Sequence, residues 1–462
     1  MSKAIPAAPR RLTAVLAILS LLAAGGCAAS GPADGPETTA NASHDGKPSG
    51  NVEWWSWSPD APLAQKWIAA FEAEYPDIHV TFKQHGINDY DAALRTALAA
   101  KSGPDVFTVT GSATSHPAQV FGASAIDATP ALAAALGAGW KSKFVASQLP
   151  DSLYIDGKLT AIPIGGVASG TLWINKTVFD KYSLRPPTTY DQWKQVCATL
   201  TSNGVGCFVQ GVGQGAFNID TLHTIADNVH PGLFAQALKG EAQWTDPDMV
   251  KAFGLWKGLF DDDIMQEGAL GMQQYPEGNN AFLSQEYAMI MMGTWFAQNA
   301  VTETQISNQE AAGVGNPVPF EMIPILFPDI AGTGHIPGMQ ADLSNALAIS
   351  TDSDNLDAAT LFAVWMATSA TGQQEIADSM STTPSQKDVV PNWDAMNLAF
   401  PGSKQNLVDL YTWAGDATEP RVSAIPADLN DAIQIAASTI AGGNATPAEA
   451  AQALQNTADS LK

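Results

Sequence analysis

Cations are scarce in this chain: 22 lysines and arginines stand against 46 aspartates and glutamates, a net charge of −24 over 462 residues. A phosphate backbone would be repelled, so nucleic acid is excluded as a partner. Cysteine is scarcer still, at three, and Cys27, Cys197 and Cys207 cannot supply a thiolate metal set. The seven histidines are scattered; His223 and His230 are seven residues apart with Pro231 following, not the adjacent-turn spacing of a helical ligand pair. Asp261-Asp262-Asp263 has no glycine and distal glutamate in the register of a calcium loop. Gly165-Gly166 lacks the Lys-Ser/Thr of a phosphate loop. Neither a metal nor a cofactor is expected. Long apolar runs are missing too: residues 12–24 fall short of the ~20 residues needed to cross a bilayer.

That short run has the layout of a secretory leader, with Lys3, Arg10 and Arg11 ahead of it. It ends in Leu22-Ala23-Ala24-Gly25-Gly26-Cys27, which resembles a bacterial lipobox with Cys27 as the lipidated first residue of the mature chain. Residues 1–26 are therefore read as a lipoprotein signal peptide; the alternative is an ordinary signal peptide with a leftover cysteine. Residues 27–50 hold no apolar side chain larger than Ala or Pro, too little to offset ordering entropy, and read as a flexible tether. The expected location is the extracellular face of the cell membrane, reached by the lipid anchor only. In that oxidising compartment Cys197 and Cys207 form an even pair. A disulfide between them would pin a helix end to the next strand; the alternative is two buried thiols.

From residue 51 strands and helices alternate. Residues 52–57 read as a buried strand, and Asp60 caps a helix whose stripe is Leu63, Trp67, Phe71 and Tyr75. Ile78, Val80 and Phe82 alternate with His79, Thr81 and Lys83, the period of a half-buried strand. Asp89 opens a second helix, Gly103-Pro104-Asp105 breaks the chain, and residues 106–110 form a third strand. Such an order implies parallel strands with right-handed crossovers, and ligands of open sheets sit beyond the strands' carboxyl ends. Trp57, Ser58, Thr110, Gly111 and Ser112 lie there. Further on, Thr189-Tyr190-Asp191-Gln192 is a capping box, and Thr446-Pro447-Ala448-Glu449 opens a last helix. A length of roughly 410 residues after the tether calls for two lobes.

The pieces Phe71…Tyr75-Pro76…Ile78…Val80, Gly103-Pro104-Asp105-Val106, Asp156-Gly157-Lys158-Leu159…Ile162-Pro163, Leu172-Trp173-Ile174-Asn175-Lys176…Phe179, Pro186-Pro187-Thr188-Thr189-Tyr190 and Ala288-Met289…Gly293-Thr294-Trp295 occur in this order. With that order and spacing the chain resembles the sugar-type extracellular solute-binding proteins of ABC importers; beyond about residue 370 the likeness fades. The resemblance implies an α/β, two-lobe periplasmic-binding-protein-like fold. Each lobe would be a mostly parallel sheet flanked by helices, with hinge crossovers near residues 162–166, 323–327 and 350–354. One lobe would hold residues 51–163 plus 325–352, the other 166–323 plus 355–462. The protein would be a monomer, and not an enzyme, that closes on a small-molecule sugar and delivers it to an ABC importer's membrane permease.

Thirteen tryptophans suit a carbohydrate lining, since sugars present flat C–H patches, but Trp67, Trp193 and Trp256 sit on apolar helix stripes and read as core. The resemblance places Trp295 in the cleft, with Gly165 and Gly166 at the first hinge, where the family approaches the ligand; the alternative for the two glycines is a hinge that needs permissive dihedrals. Gln214 and Phe217 fall in a glycine-rich cleft loop, and Gly338, Met339 and Gln340 precede the last strand of the first lobe. Asp105 reads as a turn carboxylate. The predicted strand ends carry no charge, which favours a neutral ligand, a mono- or oligosaccharide, over a cationic one; the alternative is another small solute such as a polyamine, polyol or amino-acid derivative. A glycoside hydrolase needs two carboxylates flanking the bond, and the strand ends offer no such pair.

Overall fold

The computed structural model describes residues 48–86, 89–109 and 117–461. The residues read as a signal peptide and Cys27, most of those read as a tether, and Thr110, Gly111 and Ser112 lie outside the described residues. Among the described residues no helix is long and apolar enough to cross a membrane.

Among the described residues twelve strands follow in chain order: β1 (Gly50–Ser56), β2 (Ile78–Gln84), β3 (Val106–Val109), β4 (Tyr154–Ile155), β5 (Lys158–Leu159), β6 (Ile162–Ser169), β7 (Thr171–Asn175), β8 (Gly206–Val209), β9 (Tyr287–Met292), β10 (Met322–Leu326), β11 (Gln340–Ile349) and β12 (Thr383–Pro384). Two sheets dominate, ordered β12-β6-β11-β3-β1-β2 and β10-β7-β9-β8, with β4 and β5 a separate hairpin. In β2 the buried Ile78 and Val80 alternate with exposed His79 and Thr81, as the pattern demands. β1 lies between β2 and β3 and buries Val52, Trp54, Trp55 and Ser56.

The sheets are mixed, which corrects the expectation of mostly parallel ones. β1 pairs parallel with β2 and β3, but β11 runs antiparallel to β3 and β6, and β12 antiparallel to β6. In the second sheet only β8–β9 is parallel; β7 is antiparallel to β9 and β10. The reason is connectivity. β11 returns from the second sheet and re-enters the first from its opposite end, where no βαβ crossover fixes direction.

Each sheet carries its own core. Around the first, Trp67, Ile68 and Phe71 of the helix Ala61–Glu74 pack with Trp54, Tyr90, Phe107 and Leu347. The helices Leu356–Thr368 and Ala370–Ser379 join this core: Phe71 meets Phe362 at 5.1 Å and Trp365 at 5.4 Å, and Ile376 is buried with them. Sequence reading had put residues 355–379 with the second sheet; the apolar stripe of Phe362, Trp365 and Met366 covers the first instead. Trp193 and Trp256 are buried in the second core, together with the C-terminal helices Ala427–Ala441 and Pro447–Ser460. Cys197 and Cys207 are joined as a disulfide that links the helix Tyr190–Ser202 to β8, with Cα atoms 4.9 Å apart.

Asp60 accepts the Leu63 N–H at 2.9 Å, capping the helix Ala61–Glu74. Asp60→Ala is expected to cost about 1 kcal/mol of stability by urea denaturation, the ordinary worth of such a cap. Asp105 is a turn carboxylate: it accepts from Glu53 N at 2.8 Å and Ser353 Oγ at 2.6 Å.

The chain crosses between the sheets at Gly170, where β6 becomes β7; again between residues 335 and 340; and near residues 393–396, between β12 and the helix Lys404–Gly415. Gly170 has φ +107°, and a Cβ there would meet Gln340 Oε1 and Gly338 O, each at 3.1 Å, so the tight passage needs glycine. Residues 350–354, expected as a crossing, lie instead at the far end of the first sheet, where Ser350 N donates to Asp105 O at 2.8 Å.

Candidate functional site: an inter-lobe cleft

Strand directions decide where the two sheets present their carboxyl ends. β6 and β3 both run antiparallel to β11, so the ends of β1, β2, β3 and β6 share one edge, and β6 leaves that edge for the second sheet. On arrival Thr171 pairs with Met292, so the carboxyl end of β9, and of β8 beside it, faces back toward the first sheet. Ala168 N donates to Thr294 Oγ1 at 3.1 Å, fixing the loop after β9 against the crossing strand. The carboxyl edges of both sheets therefore flank the same gap, the position at which open α/β sheets hold ligands.

On the first sheet's side stands Trp57, half-buried, its ring edge-on to Tyr90 at 5.0 Å. Ser58 N donates to Ser56 Oγ at 3.2 Å, so that hydroxyl shapes the turn. His85, just beyond β2, packs on Trp55 at 4.6 Å, and its Nε2 is buried without a protein partner. Burial first, then the neighbouring Lys83, hold its pKa below the ordinary imidazole value. A neutral imidazole with a spare ring nitrogen is a hydroxyl-binding group.

The opposite wall is aromatic. Trp295 Nε1 donates to the Tyr275 hydroxyl at 3.0 Å, and Phe217 lies 6.0 Å from Tyr275 and 6.2 Å from Trp295. Gln214 Oε1 accepts from Tyr275 N at 3.1 Å and holds that residue in place. Tyr275 is 41% exposed. Gly293 brings the chain close to β6, since a Cβ there would sit 2.1 Å from Ala168 O.

Behind these rings lies Arg421, 5.0 Å from Trp295 and 5.7 Å from Phe217. Its Nε and Nη2 donate to the two carboxylate oxygens of Asp220, both at 2.7 Å, and Asp220 is fully buried. Asp342, at the start of β11, accepts from the N–H groups of Arg421, Val422 and Ser423 at 3.0, 2.8 and 2.9 Å. Beside this pair His223 Nε2 sits 2.7 Å from Glu419 Oε2 and 3.3 Å from Asp227 Oδ2. Burial lowers the imidazole pKa, but hydrogen bonds to Asp227 and Glu419 outweigh it and raise the value to about 9.

A groove of about 500 Å³ runs along this polar seam, lined by Gln119, Ser152 and Tyr154 on one side and Asp342, Glu419 and Ser423 on the other. Tyr154 packs on the first core and Val422 belongs to the second, so the groove lies between the lobes. Its acidic appearance is compensated from within, because Asp342 and Glu419 are already engaged.

Of the residues singled out from sequence, Phe217, Gln214 and Trp295 come together on one wall, and Trp57 and Ser58 stand at the carboxyl edge of the other sheet. Gly165 and Gly166 do not point at open space: a Cβ on Gly165 would meet Thr382 Oγ1 at 2.6 Å, and one on Gly166 the Gln148 side chain at 2.5 Å. They are close-packing positions inside β6. Met339 is buried in the same core as Phe217, and Gln340 is buried with its Nε2 3.3 Å from Gly338 O. Gly338 is exposed. Tyr275, Arg421, Asp220 and His85 were missed. Arg421 lies past the resemblance, and Asp220 and His223 sit on a helix, Gly215–Val229, whose polar residues are buried.

Residues 55–373 match the family of bacterial extracellular solute-binding proteins. The chain belongs to that family. This solute-binding protein is 30% identical over 154 residues to an uncharacterized ABC transporter extracellular-binding protein, PH1039, of Pyrococcus horikoshii, covering 31% of this chain and 34% of that one. It is also 30% identical over 147 residues to the melibiose/raffinose/stachyose-binding protein MelE of Bacillus subtilis, covering 31% of each. The solute-binding protein thus spans about a third of the length of these curated relatives. Its fold is that of maltose-bound MalE3 of T. maritima, with a TM-score of 0.67 at 18% identity, covering 89% of this chain and 100% of that one.

Proposed function

We propose that this solute-binding protein captures a neutral mono- or oligosaccharide between its lobes and hands it to the membrane permease of an ABC importer. The observation that carries the reading is the cluster of Trp295, Tyr275 and Phe217 at the carboxyl edge of the second sheet, with Trp57 and His85 at the carboxyl edge of the first. Aromatic faces suit the C–H patches of a pyranose, and polar rims suit its hydroxyls. Every buried charge near the wall has an internal partner: Arg421 with Asp220, Asp342 with backbone N–H groups, Glu419 with His223. The carboxylates nearest the rings, Asp220 and Asp342, are thus already engaged, which favours a neutral ligand there over a polyamine.

Binding would proceed by population shift. A sugar touching both walls stabilises only the closed arrangement, and the crossings at Gly170 and near residues 335–340 and 393–396 would bend. Residues 1–26 as a signal peptide and Cys27 as a lipid anchor complete the proposal, placing a monomer on the outer face of the membrane at the end of a tether. Two carboxylates flanking a bond are not part of this design, so no hydrolysis is expected.

A thermal-shift screen of the purified protein against a carbohydrate panel tests it. A ligand held only by the folded state raises the melting temperature, by about 2.7 kcal/mol of stabilisation at a hundred times its Kd. At least one neutral saccharide is expected to do so without being cleaved. A shift with polyamines or amino acids and with no sugar would contradict the proposal.

A further inference from the structure

We infer that His223, Asp227 and Glu419 form a binding site for one divalent transition-metal ion of the zinc class, separate from the aromatic wall and independent of the sugar reading. His223 and Asp227 stand four residues apart on the helix Gly215–Val229 and so project from the same face. Glu419 reaches them from the segment that precedes Arg421. One donor atom from each lies within 4.8 Å of the others. The separations of 2.7 and 3.3 Å from His223 Nε2 bracket the ~3.3 Å between donors in a tetrahedral site with bonds of about 2.0 Å. A small opening of the His223–Glu419 contact admits the ion.

Two further features favour a cation. Asp227 and Glu419 bring two carboxylates to a mostly buried place beside one imidazole nitrogen. Nitrogen and carboxylate oxygen together are the donor set that a divalent ion of the zinc class takes. The donors are also pre-oriented. The His223 ring stacks on Phe234 at 4.5 Å with an interplanar angle of 19°, and Asp227 Oδ1 accepts from Phe234 N at 3.4 Å. Glu419 borders the inter-lobe groove, so water from that side fills the fourth position. The mixed nitrogen and oxygen set selects zinc-like ions over calcium, which takes oxygen alone. The bound ion would tie the second lobe's helix to the segment 418–423, whose backbone is bonded to Asp342 of β11.

Chelator-treated full-length protein is titrated with Co²⁺ as a spectroscopic probe and with Zn²⁺ as its competitor. One equivalent of Co²⁺ with visible ligand-field bands, lost on adding Zn²⁺, is expected. Zn²⁺ at a hundredfold excess over Kd is expected to raise the melting temperature by about 3 °C. Glu419→Gln and Asp227→Asn, each checked for folding by circular dichroism, should bind at least tenfold more weakly. If neither variant folds, anomalous scattering from Zn²⁺-soaked wild-type crystals decides, with a peak expected between the three side chains. No uptake, uptake unchanged in the folded variants, or a peak elsewhere overturns the inference. Sugar binding is unaffected by that failure, since the panel screen is run in chelator.

Discussion

Replacing Trp295 by alanine is expected to weaken saccharide binding about a hundredfold, roughly 3 kcal/mol, while the protein stays folded. The ring is half-buried, anchored by its hydrogen bond to Tyr275 and backed by Arg421, so it is held ready at little entropic cost. Its removal takes away the central platform and leaves the Tyr275 hydroxyl without that partner. The fold is insulated because Trp295 follows β9 rather than lying within it, and β9 buries Ala288 to Met292 along its own length. Isothermal titration with the saccharide giving the largest thermal shift checks the loss. Retained affinity would remove the aromatic wall from the site.

Arg421→Met is expected to destabilise the protein by roughly 3–5 kcal/mol, because Asp220 is left as an unpaired charge in a fully buried place. Adding Asp220→Leu to that variant should recover most of the loss, since two apolar side chains replace a pair whose desolvation was costly to begin with. Urea denaturation of both single variants and the double variant supplies the coupling. Saccharide affinity is the more informative reading of the double variant. The pair underlies Phe217 and Trp295, so the wall should loosen, and binding should remain weaker than wild type even where stability returns.

Local patterns carried most of what was legible in the sequence. The stripe of Trp67 and Phe71, the alternation of Ile78 and Val80, and the caps at Asp60, Thr189 and Thr446 describe elements whose cause lies within a dozen residues. What escaped was non-local. An apolar stripe states that the helix Leu356–Thr368 is buried but not against which sheet. The antiparallel entry of β11 depends on a chain that has already crossed to the second lobe and come back. Trp295 was singled out because the resemblance places an aromatic after a strand and a glycine in the cleft. Arg421 was not: its role depends on Asp220, some 200 residues away in sequence. Asp220, His223 and Asp227 look like the solvent side of an amphipathic helix, and only the covering segment 418–423 makes them interior. Gly165 and Gly166 erred in the opposite direction, their glycine being needed by Thr382 and Gln148 rather than by a ligand.

Small-angle X-ray scattering, with and without the saccharide that most stabilises the protein, reaches the heart of the account. The radius of gyration should fall when the sugar is added to wild type and stay unchanged for Trp295→Ala at the same concentration. A sugar that binds tightly yet leaves the scattering of wild type unaltered would contradict closure of two walls upon a shared ligand.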